Sequence, residues 1–110
     1  MKNNTLIDIN SFKDIYKINL LNIPNQTFTT TINNNSYTIT IETSNSLQSY
    51  ISIKERDNIL CNNGNIKSMV DLTMHYPNGS FFFAVDIGKE YLSLNYENFN
   101  NGLNLYYGII

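Results

Sequence analysis

Residues 23–42 read IPNQTFTTTINNNSYTITIE, two alternating runs of threonine and apolar residues joined by three asparagines and a serine. In the second run Tyr37, Ile39 and Ile41 share one parity, while Thr38, Thr40 and Glu42 share the other. Successive Cβ directions therefore put an apolar row on one face of an extended chain and a polar row on the other. The first run repeats the pattern, with Phe28, Thr30 and Ile32 opposed to Thr29 and Thr31. β-Branched threonine and isoleucine are stiff at χ1 in the way pleated strands favour. Asn33-Asn34-Asn35-Ser36 supplies residues that tolerate the left-handed backbone of a tight connection. The stretch is predicted to be a β-hairpin.

Working outward, Pro24 removes a donor and holds Ile23 extended, so a strand expected over Tyr16–Leu21 ends before the hairpin. Residues 1–15 are read as an N-terminal arm and residues 16–110 as a single β domain, with Ser11–Asp14 able to open one helical turn. Downstream, 43–47 reads as a loop, Ser49–Glu55 as a third strand, and Asp57-Asn58 as a turn. Ile59-Leu60-Cys61 is expected to be stopped by Asn62-Asn63-Gly64-Asn65, the strongest turn signal in the chain. Residues 66–76 fit a short helix or an irregular strand, and the strand is favoured. Pro77-Asn78-Gly79 turns the chain into Ser80–Ile87, whose continuous apolar run implies burial on both faces or a partner on one. A turn at Gly88-Lys89-Glu90, a strand at Tyr91–Tyr96, a loop at 98–102 and an alternating strand at Leu103–Ile110 complete the pattern. The predicted class is all-β: a small antiparallel β-sandwich or barrel of about six to eight strands.

Composition narrows the function. Charged residues make up 15% of the 110 residues and the net charge is −2, against roughly 25% charged in an average soluble protein. Twenty asparagines fill much of the gap, as an AT-rich coding sequence would produce. Without a basic excess to neutralise phosphates, nucleic acid is not an expected partner. Lys54 and Arg56 alternate with Glu55 and Asp57, the pattern of a solvated turn. No run reaches the about 18 apolar residues of a membrane span, and Asp8, Lys13, Asp14 and Lys17 interrupt anything resembling a signal peptide, so no membrane is expected either. One cysteine permits no intrachain disulfide and fits a reducing compartment. The four Asn-x-Ser/Thr sites, at Asn3, Asn25, Asn34 and Asn78, read as chance matches in so asparagine-rich a chain.

Catalytic chemistry finds no residues to carry it. His75 is the sole histidine, and Asp71 four residues earlier would bring the set to at most two ligands where zinc requires three or four, so no metal and no cofactor is expected. Cys61 follows Ile59 and Leu60, the setting of a small buried hydrophobe rather than a nucleophile. The carboxylates are dispersed, and no pair suits acid–base work. The chain is read as a non-enzyme.

Aromatic residues are the remaining signal: eight tyrosines and six phenylalanines, without tryptophan. Adjacent strand residues face opposite ways, so Phe81, Phe82 and Phe83, like Tyr106 and Tyr107, cannot all point into one core. The outward members of these two groups are the expected protein interface. The terminal strand is further expected to offer its edge to a neighbour.

Ile23-Pro24-Asn25-Gln26-Thr27-Phe28, the tyrosine-led strand Tyr37–Ile41, Tyr50-Ile51-Ser52-Ile53, Asp71-Leu72 and the closing Leu105-Tyr106-Tyr107 resemble the small baseplate plug proteins of contractile-tailed phages and of phage-like tail particles, the R-type bacteriocins. Tyr50 stands where that family is expected to carry a tryptophan. The resemblance covers roughly Ile18 to the end. It implies a non-catalytic structural protein, a plug at the hub and spike centre of a tail baseplate. The implied partners are hub and spike proteins, with tape-measure or tube proteins as further candidates, and copies of itself in a symmetric homo-oligomer. The implied location is a virion tail or tail-like particle assembled in the bacterial cytoplasm. The competing reading is a β-sandwich binding module or inhibitor unrelated to tails.

Overall fold

The computed structural model describes residues 9–44, 48–66, 71–73, 79–86, 99–100 and 103–110. Among these residues there is no α-helix, only one 3-10 turn at Ile9–Ser11, and seven strands: β1 (Asp14–Ile18), β2 (Gln26–Ile32), β3 (Asn35–Thr43), β4 (Ser49–Glu55), β5 (Asn58–Asn65), β6 (Phe81–Asp86) and β7 (Leu103–Ile109). They form a three-stranded sheet ordered β1-β7-β6 and a four-stranded sheet ordered β2-β3-β4-β5, all antiparallel. The fold is the expected small all-β class, as a sandwich rather than a barrel.

The hairpin organises the four-stranded sheet. Its register runs from Gln26 opposite Ile41 to Ile32 opposite Asn35. The connection is therefore two residues, shorter than the four expected, because Asn35 and Ser36 already belong to the ladder. Asn33 and Asn34 have φ of 52° and 68°. Two consecutive left-handed residues make a type I′ turn, whose twist matches that of the flanking strands. The apolar row then meets its counterpart on β4: Ile39 lies opposite Ile53 and Ile41 opposite Ile51, all four fully buried. Facing them from the other sheet are Ile18, Phe82, Ala84, Leu103, Leu105 and Tyr107, which complete one core between the sheets.

The Asn-Asn-Gly-Asn run is not a turn. β5 continues through it, with Cys61 opposite Ile53 and Gly64 opposite Ile51, so Asn62 and Asn63 both stand against Ser52. This is a β-bulge, and the sequence signal it shares with a turn is the left-handed residue, here Asn63 at φ 54°. The Asn63 N–H donates to Ser52 Oγ at 2.9 Å, replacing the ladder bond the bulge removes.

Differences at the chain ends are equally physical. β1 opens at Asp14, within the segment expected to be an arm, and closes at Ile18 because the chain then crosses to the other sheet. That crossing is clasped by the motif singled out in the sequence. Gln26 accepts from the Leu21 N–H at 3.1 Å through Oε1 and donates to the Leu21 C=O at 2.8 Å through Nε2. Thr43 donates its hydroxyl to the Pro24 C=O at 2.7 Å and its N–H to Asn25 Oδ1 at 3.1 Å. β7 is the central strand, paired on both sides, so the expectation that it lends an edge to a neighbour is overturned. The strand expected at 91–96, the turn at 88–90 and most of 66–76, including His75, lie outside the described residues.

The hairpin turn yields a direct test. Asn34→Val places a β-branched residue in the left-handed region and is expected to cost about 1–2 kcal/mol in urea unfolding, whereas Asn34→Gly is expected to be neutral or stabilising.

Candidate functional site

Alternation along β6 splits the three phenylalanines between two environments. Phe82 points into the core, edge-on to Tyr37 (5.2 Å, 80°) and Tyr107 (4.8 Å, 64°). Phe81 and Phe83 point to the opposite face of the three-stranded sheet, where they form a second cluster with Phe12, Val85 and Tyr106. Phe12 lies stacked on Phe83 (5.1 Å, 3°) and tilted against Phe81 (5.3 Å), while Tyr106 stacks on Phe83 from the neighbouring strand (5.5 Å, 28°). The seat for Phe12 is Gly108, which sits in the ladder between Ile15 and Phe81. A Cβ built there would lie 2.4 Å from the Phe12 ring. A larger residue at 108 and the Phe12 ring cannot occupy this place together.

The five rings expected to form an interface are thus brought together, but not as an exposed row. Phe81, Phe82 and Phe83 are each 0% exposed and Tyr107 is 8% exposed; only Tyr106 is half-buried. Among the described residues Phe12, from the segment expected to be an arm, packs over the outward rings together with Val85 and Tyr106. Sequence reasoning passed over Phe12 and Gly108. The signal that could have found them is a glycine inside an apolar strand, which marks close approach by another group.

Between the sheets a cleft of about 230 Å³ opens beside Asn35, Tyr37, Glu55, Thr73, Ser80 and Tyr107. The Tyr37 and Tyr107 hydroxyls bond to each other at 3.0 Å across it. Burial, then the bond to Tyr107 and the nearby Tyr107 and Glu55 charges, push the Tyr37 phenol well above its ordinary value. A phenol held neutral is a poor base. Cys61 is half-buried, donates its thiol to the Ile51 C=O at 3.4 Å, and is pushed up by burial. Among the described residues no three His, Cys, Asp or Glu side chains cluster as metal ligands.

The model of one protein family, described as "Cyanophage baseplate Pam3 plug gp18", matches residues 15–109, from β1 through β7. The chain belongs to this baseplate plug family. Membership gives it a structural role in a phage tail baseplate, among other baseplate components. No curated protein matches the sequence. For a plug protein the aromatic cover is the informative feature, since Phe12 lies just outside the matched residues yet completes the packing of Phe81 and Phe83 within them.

Two outcomes follow from this geometry. Phe12→Ala should cost about 1–3 kcal/mol and raise binding of an apolar dye as Phe81 and Phe83 lose their cover. Gly108→Ala should do the same by evicting the ring, and the two changes together should cost less than their sum. In alkali, the folded Tyr37 phenol titrates above the unfolded one, so its contribution is complete below about pH 10 and is lost as pH rises beyond it. Thermal unfolding of Tyr37→Phe should accordingly show a shallower alkaline decline than the parent chain.

Proposed function

We propose that this chain is a non-catalytic plug at the hub and spike centre of a contractile-tail baseplate, in a phage or a headless bacteriocin particle assembled in the bacterial cytoplasm. The family match over residues 15–109 is the observation that carries the reading. Its partners are then hub and spike proteins, with tape-measure or tube proteins adjoining and further copies of the chain in a symmetric ring. The contact we assign to those partners is the outer face of the three-stranded sheet. There Tyr106 and Phe12 lie at the surface over Phe81 and Phe83, while Phe82 and Tyr107 fix the same strands from the core side. Burying such rings against a partner removes apolar area worth about 25 cal/mol per Å², and aromatic anchors of this kind dominate interface energies. A surface with few charges contributes little beyond orientation.

The test is incorporation into particles. Tails made with Tyr106→Ala should lose the protein from the baseplate, although the isolated variant should melt within a few degrees of the parent, since one half-buried stacking contact is worth about 1 kcal/mol. Thr38→Ala, on the far sheet, should be incorporated normally. Absence of the chain from purified parent particles, or full retention of both Tyr106→Ala and Phe12→Ala, would remove this assignment.

A further inference from the structure

Two sheets have four edges, and three of these discourage another strand. Beyond β6, the Leu72 N–H donates to the Phe82 C=O at 2.9 Å and Asp71 bridges Phe83, so that edge is already occupied. β1 is five residues long and carries exposed Asp14 and Lys17. β5 is broken by two register shifts. Short charged edges and bulges are the usual means of preventing edge-to-edge pairing. β2 has none of them: Gln26–Ile32 is seven residues in unbroken register, with no charge, proline or glycine.

The turn fixes which backbone groups of β2 are free. Ile32 and Asn35 flank a two-residue type I′ turn, so they exchange both ladder bonds. Alternation then points the N–H and C=O of Gln26, Phe28, Thr30 and Ile32 toward β3, and turns those of Thr27, Thr29 and Thr31 away from it, where no described residue pairs with them. We propose that this edge pairs with the same edge of a second copy, antiparallel about a two-fold axis through Thr29, joining two four-stranded sheets into one of eight. In that register Thr29 meets Thr29, Thr27 meets Thr31, and each outward donor finds an outward acceptor. Phe28, left half-buried at the margin of the core, comes beside Thr30 of the second copy and gains cover.

The occupant is a second copy because the strand complements itself. Threonine opposite threonine is a favourable cross-strand pair, and a neutral strand meets no like charge when it faces its own copy. Nothing on this edge would select a charged foreign strand. The inference rests on β2 alone and not on the baseplate assignment, so either can fail without the other.

Sedimentation velocity of the full chain over a concentration series tests it. The parent should show a concentration-dependent monomer–dimer equilibrium. Thr29→Lys and Thr29→Glu should each be monomeric with unchanged circular dichroism, because like charges meet on the axis. An equimolar mixture of the two should dimerise again, because lysine then faces glutamate. Thr29→Pro removes an N–H that the β2–β3 ladder does not use, a substitution edge strands tolerate, and it should also abolish the dimer. A parent that stays monomeric at every concentration, a dimer that survives Thr29→Lys or Thr29→Pro, or a mixture that fails to restore pairing would each overturn the proposal.

Discussion

The central run of β6 is buried on both faces, and most of the structure follows from meeting that requirement. A sheet with one wet face needs only alternating apolar residues, but Phe81, Phe82, Phe83 and Ala84 run consecutively and are all buried. One side of β6 is satisfied by the isoleucines of β3 and β4 across the sandwich. On the other side the described residues form no second sheet, and the rings packed there are Tyr106 and Phe12, the latter held against the backbone because residue 108 lacks a side chain. A small domain has little core to spare, so placing aromatics on both faces of a short sheet lets three strands bury more area than one face would allow. The consequence is dependence of the whole β6–β7 region on a segment far away in sequence.

Much of this was legible in the sequence, and the reasons are local. The period of two in Tyr37–Ile41 and Leu103–Ile109 gave both sheets' inner faces, and Ser49–Glu55 was bounded by unambiguous polar turns. The continuous run at Ser80–Ile87 implied burial on both faces or a partner on one, and in the structure Phe81, Phe82, Phe83 and Ala84 are buried. What alternation could not supply was the identity of the cover. An aromatic in a polar N-terminal stretch carries no periodic signal, and exposure of the outer rings was the natural inference without it. The same limit applies to Asn62-Asn63-Gly64-Asn65. Left-handed backbone is needed by turns and by bulges alike, so residue chemistry names the local conformation and leaves the strand's continuation to its pairing partner. Strand order was also beyond pattern reading. The last strand lies between the first and the sixth, an arrangement decided by long-range pairing with β1 that no window of β7 records.

The Ile-Pro-Asn-Gln motif shows how a family resemblance acquires a physical meaning. As a string it signals kinship. In the structure Gln26 closes both backbone groups of Leu21 and the Pro24 carbonyl is tied to Thr43, so the motif fixes where the chain leaves one sheet and enters the other. The sandwich needs such a clasp because the crossing segment, 19–25, has no ladder of its own to satisfy its polar groups. Asn22 reaches the Phe99 carbonyl at 2.7 Å from the same segment, which extends the clasp to the strand-entry region of β7.

Low charge ties these features together. With seven lysines and arginines and nine acidic residues in 110, the chain has few ion pairs to hold a neighbour in place and few to repel one. Its stability and its contacts must both come from packing and backbone pairing, which are short-ranged and shape-dependent, whereas charge steering acts over about a Debye length of 8–10 Å. A protein built this way recognises a neighbour only on close fit, and salt should alter that recognition little.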